Sequence, residues 1–274
     1  MPQTVPFPPL PRWLPIEPEN RPVRLRAFGS EVSDLAVEFA GVERPWLVTR
    51  LLACCSQTGS GRPVPEPAIW ELPVSTRIEA VVALAAATSA RPLEWSVHCR
   101  YADCGAEGEL ELAPADIEGL AAEAHREKLV PVTIGSRTAW LRRPTGGDQR
   151  QWLDNGTDGL APMAANLMVE PSLEELRTEG VGLEEIGASI DRAMEDYDPL
   201  MGFYLDVGCP QCGRSTTQCP DLAESALERL WQAQLDLVEQ VHRLASHYHW
   251  TEEEIAKLPL WRRQAYLVCI GGEL

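Results

Sequence analysis

Two cysteine turns set far apart constrain this chain more than any other feature. Cys99-Arg-Tyr-Ala-Asp-Cys104-Gly and Cys209-Pro-Gln-Cys212-Gly are separated by the 104 residues from 105 to 208. A C-x2–4-C turn presents two sulfurs on one side of a tetrahedron, and a second turn completes it at the roughly 2.3 Å of a zinc–thiolate bond. Gly105 and Gly213 follow the second cysteine of each turn, where glycine lets the backbone aim its amides at the sulfurs. Cys-Pro-x-Cys-Gly is the more specific of the two turns, and the x4 spacing of the first is looser. Closing a loop of this length costs about 4 kcal/mol. Structural zinc supplies roughly 10–16 kcal/mol in small peptides. The spacing therefore predicts one structural zinc ion held by Cys99, Cys104, Cys209 and Cys212, with no open position for catalysis. The bland alternative is two unrelated reduced turns.

The other four cysteines read differently. Cys54 and Cys55 are adjacent in an apolar helix and read as small core residues. Cys219 reads as packing and Cys269 lies in the last helix. His98 adjoins Cys99 and is expected on the opposite strand face. His242, His247 and His249 crowd one helix end, where a cation complements the dipole.

Charge narrows the partners. The formal net charge is −17, which repels nucleic acid and anionic membranes unless a local basic patch overrides it. The basic clusters are small: Arg21, Arg24 and Arg26; Arg142 and Arg143; Arg262 and Arg263. These read as solvated faces or close ion pairs. The start of the chain lacks the apolar core of a secretion signal. The best apolar run, Ile78 to Thr88, is too short to span a bilayer. A soluble cytoplasmic protein is expected, in which eight cysteines suggest metal ligation before disulfides.

Organisation follows from punctuation and period. Residues 1–44 are an N-terminal arm and lead-in. Prolines at 2, 6, 8, 9, 11, 15, 18 and 22 exclude helix and favour extended geometry, with Phe7, Leu10, Trp13, Leu14 and Ile16 interleaved. The arm lies either along a neighbour or on its own domain. Residues 45–220 are an α+β region with the split zinc ribbon and a helical insert. Within it, 45–56 and 75–90 read as helices, 93–99 and 107–112 as strands around the first cysteine turn, and 114–128 as a helix. Val130 to Ile134 and Arg137 to Leu141 form a hairpin. Thr145-Gly-Gly-Asp148 and Ser172-Leu-Glu-Glu175 are capping boxes. Residues 158–198 read as short acidic helices with a solvated face, and 201–208 and 213–218 as strands around the second turn. Residues 221–274 form a C-terminal helical region. Its longest helix carries Leu227, Leu230, Gln234, Leu237, Val241, Leu244 and Tyr248 as one packing stripe with a polar break. Thr251 caps the next helix, and a last one runs from Trp261 to Ile270.

Enzyme signatures are missing from the pattern. Gly59-Ser-Gly61 lacks the lysine and following helix of a phosphate loop, and there is no Gly-x-Ser-x-Gly elbow.

The order of these pieces resembles a known family. An alanine/leucine-rich helix precedes Leu93-Glu-Trp-Ser-Val-His-Cys99 and Glu109-Leu-Glu-Leu112. After the insert come Cys209-Pro-Gln-Cys212-Gly and a long helix ending in Val241-His-Arg-Leu-Ala-Ser-His-Tyr-His-Trp250. Thr251-Glu-Glu-Glu-Ile255, Leu258-Pro and Trp261-Arg-Arg-Gln-Ala-Tyr-Leu267 close the chain. Over roughly residues 45–270 this is similar to baseplate-associated proteins of contractile phage tails and phage-tail-like contractile injection systems. The C-terminal stretch is the most specific part. The resemblance implies a non-catalytic structural or assembly role, with other baseplate or tail proteins as partners and a zinc-ribbon-like motif at 99, 104, 209 and 212. The chain departs from the family by two extra residues in the first turn and by its proline-rich arm. A transient assembly chaperone is the nearest rival. A zinc-ribbon adaptor on nucleic acid is opposed by the charge, and a metal hydrolase by a closed four-sulfur site.

Overall fold

The computed structural model describes residues 23–89, 91–117, 120, 128–156 and 159–271. Helix and small antiparallel sheets alternate along it. Strand β1 (Arg24–Leu25) pairs with β2 (Ser56–Gln57), and helix α1 (Arg44–Cys55) lies between them with Pro45 in its first turn. Proline is tolerated there because the first amides of a helix have no internal partner. Helix α2 (Glu66–Trp70) starts in the same way with Pro67. Helix α3 (Val74–Thr88) follows Pro73, and its small Ala80 and Ala85 let it pack closely with Val81 and Leu84 in the core. Strands β3 (Leu93–His98) and β4 (Glu107–Leu112) form a hairpin in register from Leu93↔Leu112 to His98↔Glu107.

Strands β5 (Val130–Ile134) and β6 (Arg137–Leu141) form a second hairpin at the expected residues. Helix α4 (Gly146–Asp154) starts at a reciprocal cap. The Asp148 amide donates to Thr145 Oγ1 at 3.3 Å, and Asp148 Oδ2 accepts from the Thr145 amide at 2.8 Å. After α5 (Leu160–Leu167), β7 (Met168–Glu170) adds to the free edge of β6. Helix α6 (Leu173–Thr178) begins at the Ser172/Glu175 capping box, and α7 (Leu183–Tyr197) completes the insert. Strands β8 (Leu205–Gly208) and β9 (Ser215–Gln218) form the last hairpin. Helix α8 (Leu222–Tyr248) is capped by Asp221, α9 (Glu252–Ala256) by Thr251, and α10 (Leu260–Gly271) ends the described chain.

Three clusters of buried side chains hold these elements. The first joins α1, α3 and the first half of α8 with Val23, Leu25 and Phe28. The second belongs to the insert, where β5 and β6 pack on α5, α6 and α7 through Ile134, Leu141, Leu176 and Ile186. The third sets Leu237, Val241 and Leu244 against Val32 and Ile255. Helix α8 has 27 residues, a length of about 40 Å, so a single helix serves the first and third clusters. Gln234 sits where one gives way to the other. Its amide donates to the carbonyls of Asp34 and Val37 at 2.9 and 2.7 Å, which explains the polar break in the stripe. Leu237 has no exposed surface. Leu237→Ala should therefore cost about 2–5 kcal/mol of unfolding free energy, read by urea titration.

Several expectations change in the structure. The arm at 1–22 lies outside the described residues, as does most of the helix expected over 114–128, of which Pro114–Asp116 is a 3-10 turn. The strand expected from 201 begins at Leu205, because Asp198 takes the amides of Leu200 and Met201 into a turn. A strand, β7, interrupts the helices of 158–198, since Met168 and Glu170 find partners on β6. Cys55 is a core residue, but Cys54 is half-buried and bonded to Arg26 and Asp34. Cys219 is exposed and does not pack, and Cys269 is exposed too. Arg26 and Arg143 are buried beside Asp34 and Asp198, and Arg142 grips Asp148 through two bonds of 2.6 and 2.7 Å. No described helix is long and apolar enough to cross a membrane.

Candidate metal centre

Both cysteine turns are the loops of short hairpins, and both close in the same way. The Cys99 amide donates to the Ala106 carbonyl at 2.8 Å, and the Cys209 amide to the Arg214 carbonyl at 2.9 Å. In each turn the acceptor lies two residues beyond the second cysteine. Inside the turns, the amides of Cys104 and Gly105 donate to the Tyr101 carbonyl, and that of Gly213 to the Cys209 carbonyl. Gly105 has φ of 57° and Gly213 of 70°. A side chain would strain either turn, so the glycines noted in the sequence have a conformational reason.

Four sulfurs meet where the hairpins face each other. Cys99 Sγ lies 3.8 Å from Cys212 Sγ, and Cys104 Sγ lies 3.8 Å from Cys209 Sγ. All four Sγ atoms fall within 4.8 Å of one another. A tetrahedron with arms of about 2.3 Å has edges of about 3.8 Å. Each close pair joins a cysteine of one turn to a cysteine of the other, so neither turn forms the site alone. The four thiols are close enough to hold a metal ion.

The backbone favours charge on these sulfurs. Each is approached by the amide two residues further on: Tyr101 at Cys99, Ala106 at Cys104, Gln211 at Cys209 and Arg214 at Cys212. The Arg214 guanidinium and its own amide hold the Cys212 thiol down to about 6. The amides of Cys212 and Gln211 lower Cys209. At Cys99 the Tyr101 amide pulls the same way, but desolvation and the neighbouring sulfurs outweigh it and push that thiol up to about 11. Cys104 is raised by the same balance against the Ala106 amide. Two thiols are thus held down and two are pushed up. A cation bound among them would favour the thiolate form of all four.

Arg214 also ties the two turns together. Its Nε donates to Cys212 Sγ at 3.4 Å, and its Nη2 to Asp103 Oδ1 at 2.6 Å. Its guanidinium lies 3.8 Å from the Tyr101 ring centroid, and the Tyr101 hydroxyl donates to the Ser215 carbonyl at 3.4 Å. Sequence reasoning missed this clamp. The available signal was an acid just before Cys104 and a base two residues after Cys212.

Among the described residues, no further cysteine or histidine joins such a site. Asp34, Cys54 and Cys55 form a second close cluster, but both Asp34 oxygens already accept from Arg26, at 2.5 and 2.8 Å. That cluster reads as a buried polar network. His98 is exposed beside Glu107, 3.3 Å away. His249 is the left-handed cap that ends α8, and His247 packs edge-on to Tyr248. Comparison of the chain with protein-family models, with curated proteins and with solved structures found no match.

Proposed function

We propose that Cys99, Cys104, Cys209 and Cys212 hold one zinc ion in a closed zinc ribbon, and that the protein acts without catalysis in the baseplate of a contractile tail or contractile injection system. The four-sulfur cage carries the metal part. An all-thiolate tetrahedron suits zinc, and four protein ligands leave no position for substrate. The ion would then fix the ends of the insert, so that residues 105–208 form a closed loop between two tied hairpins.

A role through protein–protein contacts rests on the resemblance of 241–267 and on surface chemistry. Trp231, Leu235 and Val238 share one face of α8 and are 50%, 41% and 48% exposed. Trp261 and Val268 on α10 are also exposed. Large apolar side chains grouped on a surface suit burial against another protein.

Mass spectrometry of purified particles, with zinc analysis of the isolated chain, tests both parts. The expected result is the chain in mature particles and one zinc per chain. A chain found only in assembly intermediates would make it a transient chaperone. One polar substitution that destroys biological function while sparing folding and incorporation would point instead to catalysis.

The Arg214 clamp makes a separate prediction. Arg214→Gln removes a partner of Cys212 and the tie to Asp103. Zinc affinity should fall about 10–100-fold, measured by competition with a chelator of known affinity. Arg214→Lys should not restore it fully, because an ammonium cannot reach sulfur and carboxylate with a planar fork.

A further inference from the structure

The first turns of α8 and the start of α1 leave a groove of about 340 Å³ between them. Phe39, Leu47, Leu227 and Trp231 line it, with Glu224 and Glu228 beside them. Leu47 and Leu227 are buried, Phe39 is half-buried and Trp231 is 50% exposed. Phe39 is set by an edge contact to Phe28, with ring centroids 5.9 Å apart. Glu224 is engaged by Arg44 at 2.8 Å. Glu228 is exposed and has no ion pair among the described residues. The groove is therefore apolar and aromatic, with one uncompensated negative charge at its side.

The chain itself carries a segment that complements this groove. Residues 6–16 read Pro-Phe-Pro-Pro-Leu-Pro-Arg-Trp-Leu-Pro-Ile, and Arg12 is the single charged side chain in residues 1–16. Proline-rich segments dock in aromatic-lined grooves because their polyproline geometry is already restricted and costs little entropy to order. Their carbonyls make no internal hydrogen bonds, and an indole N–H such as that of Trp231 is a donor for them. The described chain starts at Val23, which is 3% exposed and belongs to the buried cluster that also holds Leu47 and Leu227. Residues 17–22 reach about 20 Å when extended. Residues 6–16 cover about 34 Å in polyproline geometry. A segment tethered this closely has an effective concentration on the order of millimolar, so it fills the groove ahead of a free partner of equal affinity.

We propose that this groove is the docking site for residues 6–16 of the same chain, with the arm's apolar side chains against Phe39 and Trp231 and Arg12 against Glu228. The arm then covers Trp231. Leu235 and Val238, one and two turns further along α8, lie outside the groove and stay open. The contact is independent of the metal centre and of the proposed role in a baseplate.

Chymotrypsin tests the contact on the full chain. In residues 1–22 the bonds after Phe7, Leu10 and Leu14 precede proline and resist cleavage, so the bond after Trp13 is the sensitive one. Its initial cleavage rate, read by mass spectrometry, should be at least tenfold lower in the full chain than in a synthetic peptide of residues 1–22. Trp231→Ser should return the rate to that of the peptide. Glu228→Arg and Arg12→Glu should each raise it several-fold, and the double variant Glu228→Arg/Arg12→Glu should restore the protection by exchanging the charges. Trp231, Glu228 and Arg12 are surface or arm positions, so circular dichroism should show each variant folded. Cleavage of the wild-type chain as fast as the free peptide would overturn the proposal. Protection that neither Trp231→Ser nor Glu228→Arg relieves would place the arm elsewhere and overturn it too. Protection that vanishes on dilution, together with a dimer in analytical ultracentrifugation, would assign the arm to a neighbouring copy and refute docking within one chain.

Discussion

If the proposed zinc site is filled, replacing Cys209 with serine should abolish metal binding and lower the thermal midpoint by about 8–16 °C. The figure follows from the linkage between metal binding and folding. Cys104 and Cys209 bracket the 104 residues from 105 to 208, and an ion shared by both turns closes that length in the folded state. An ion that binds only the folded protein stabilises it by about 4 kcal/mol at roughly 1,000 times its dissociation constant. Each kcal/mol shifts the midpoint of a large domain by roughly 2–4 °C. A chelator should produce a similar fall in the wild-type protein and little further change in Cys209→Ser. Cys219→Ser makes the control: that thiol is exposed, and its loss should change stability by less than about 0.5 kcal/mol. Stoichiometric zinc retained by the double variant Cys209→Ser/Cys212→Ser would refute the site.

Asp34→Ala should destabilise the fold by about 3–5 kcal/mol, the cost of leaving one member of a buried ion pair alone. Asp34 is fully buried, and its carboxylate accepts from Arg26 Nη2 at 2.5 Å, Arg26 Nη1 at 2.8 Å and the Gly29 amide at 2.8 Å. Its main-chain carbonyl receives Gln234, so the same residue fastens the N-terminal lead-in to the middle of α8. The alanine variant would strand the buried Arg26 guanidinium. The double variant Arg26→Met/Asp34→Leu should recover most of the loss, because apolar groups of similar volume can replace a buried pair at little cost. Urea unfolding of the three proteins gives the comparison. A loss below 1 kcal/mol for Asp34→Ala would mean that water reaches the pair and that it does not hold the lead-in.

Local features were legible in the sequence because local chemistry sets them. The capping boxes at Thr145, Ser172 and Thr251 each join a side chain to a backbone three residues away, and each forms as its spacing implies. The hairpin of Val130 to Ile134 with Arg137 to Leu141 needs only a turn and two β-prone runs. The stripe on α8 follows from helical period, and its buried members Leu230, Leu237 and Leu244 match it. The four cysteines could be named from two short spacings and the glycines beside them.

Distant chemistry was decided only by tertiary structure. No local rule connects Gln234 to Asp34, separated by 200 positions, although that contact explains the break in the stripe. Arg214 and Asp103 meet across the two hairpins only because the insert returns the chain to its starting point. Strand β7 forms because the edge of β6 is available to it, whereas its own residues carry only a weak signal. The arginines show the limit most plainly. In the sequence Arg26, Arg143 and Arg263 resemble any exposed basic residue, and a hydrophobic pattern cannot tell a solvated guanidinium from a buried one. Burial is a property of the packed neighbours, and those neighbours come from parts of the chain far from each arginine.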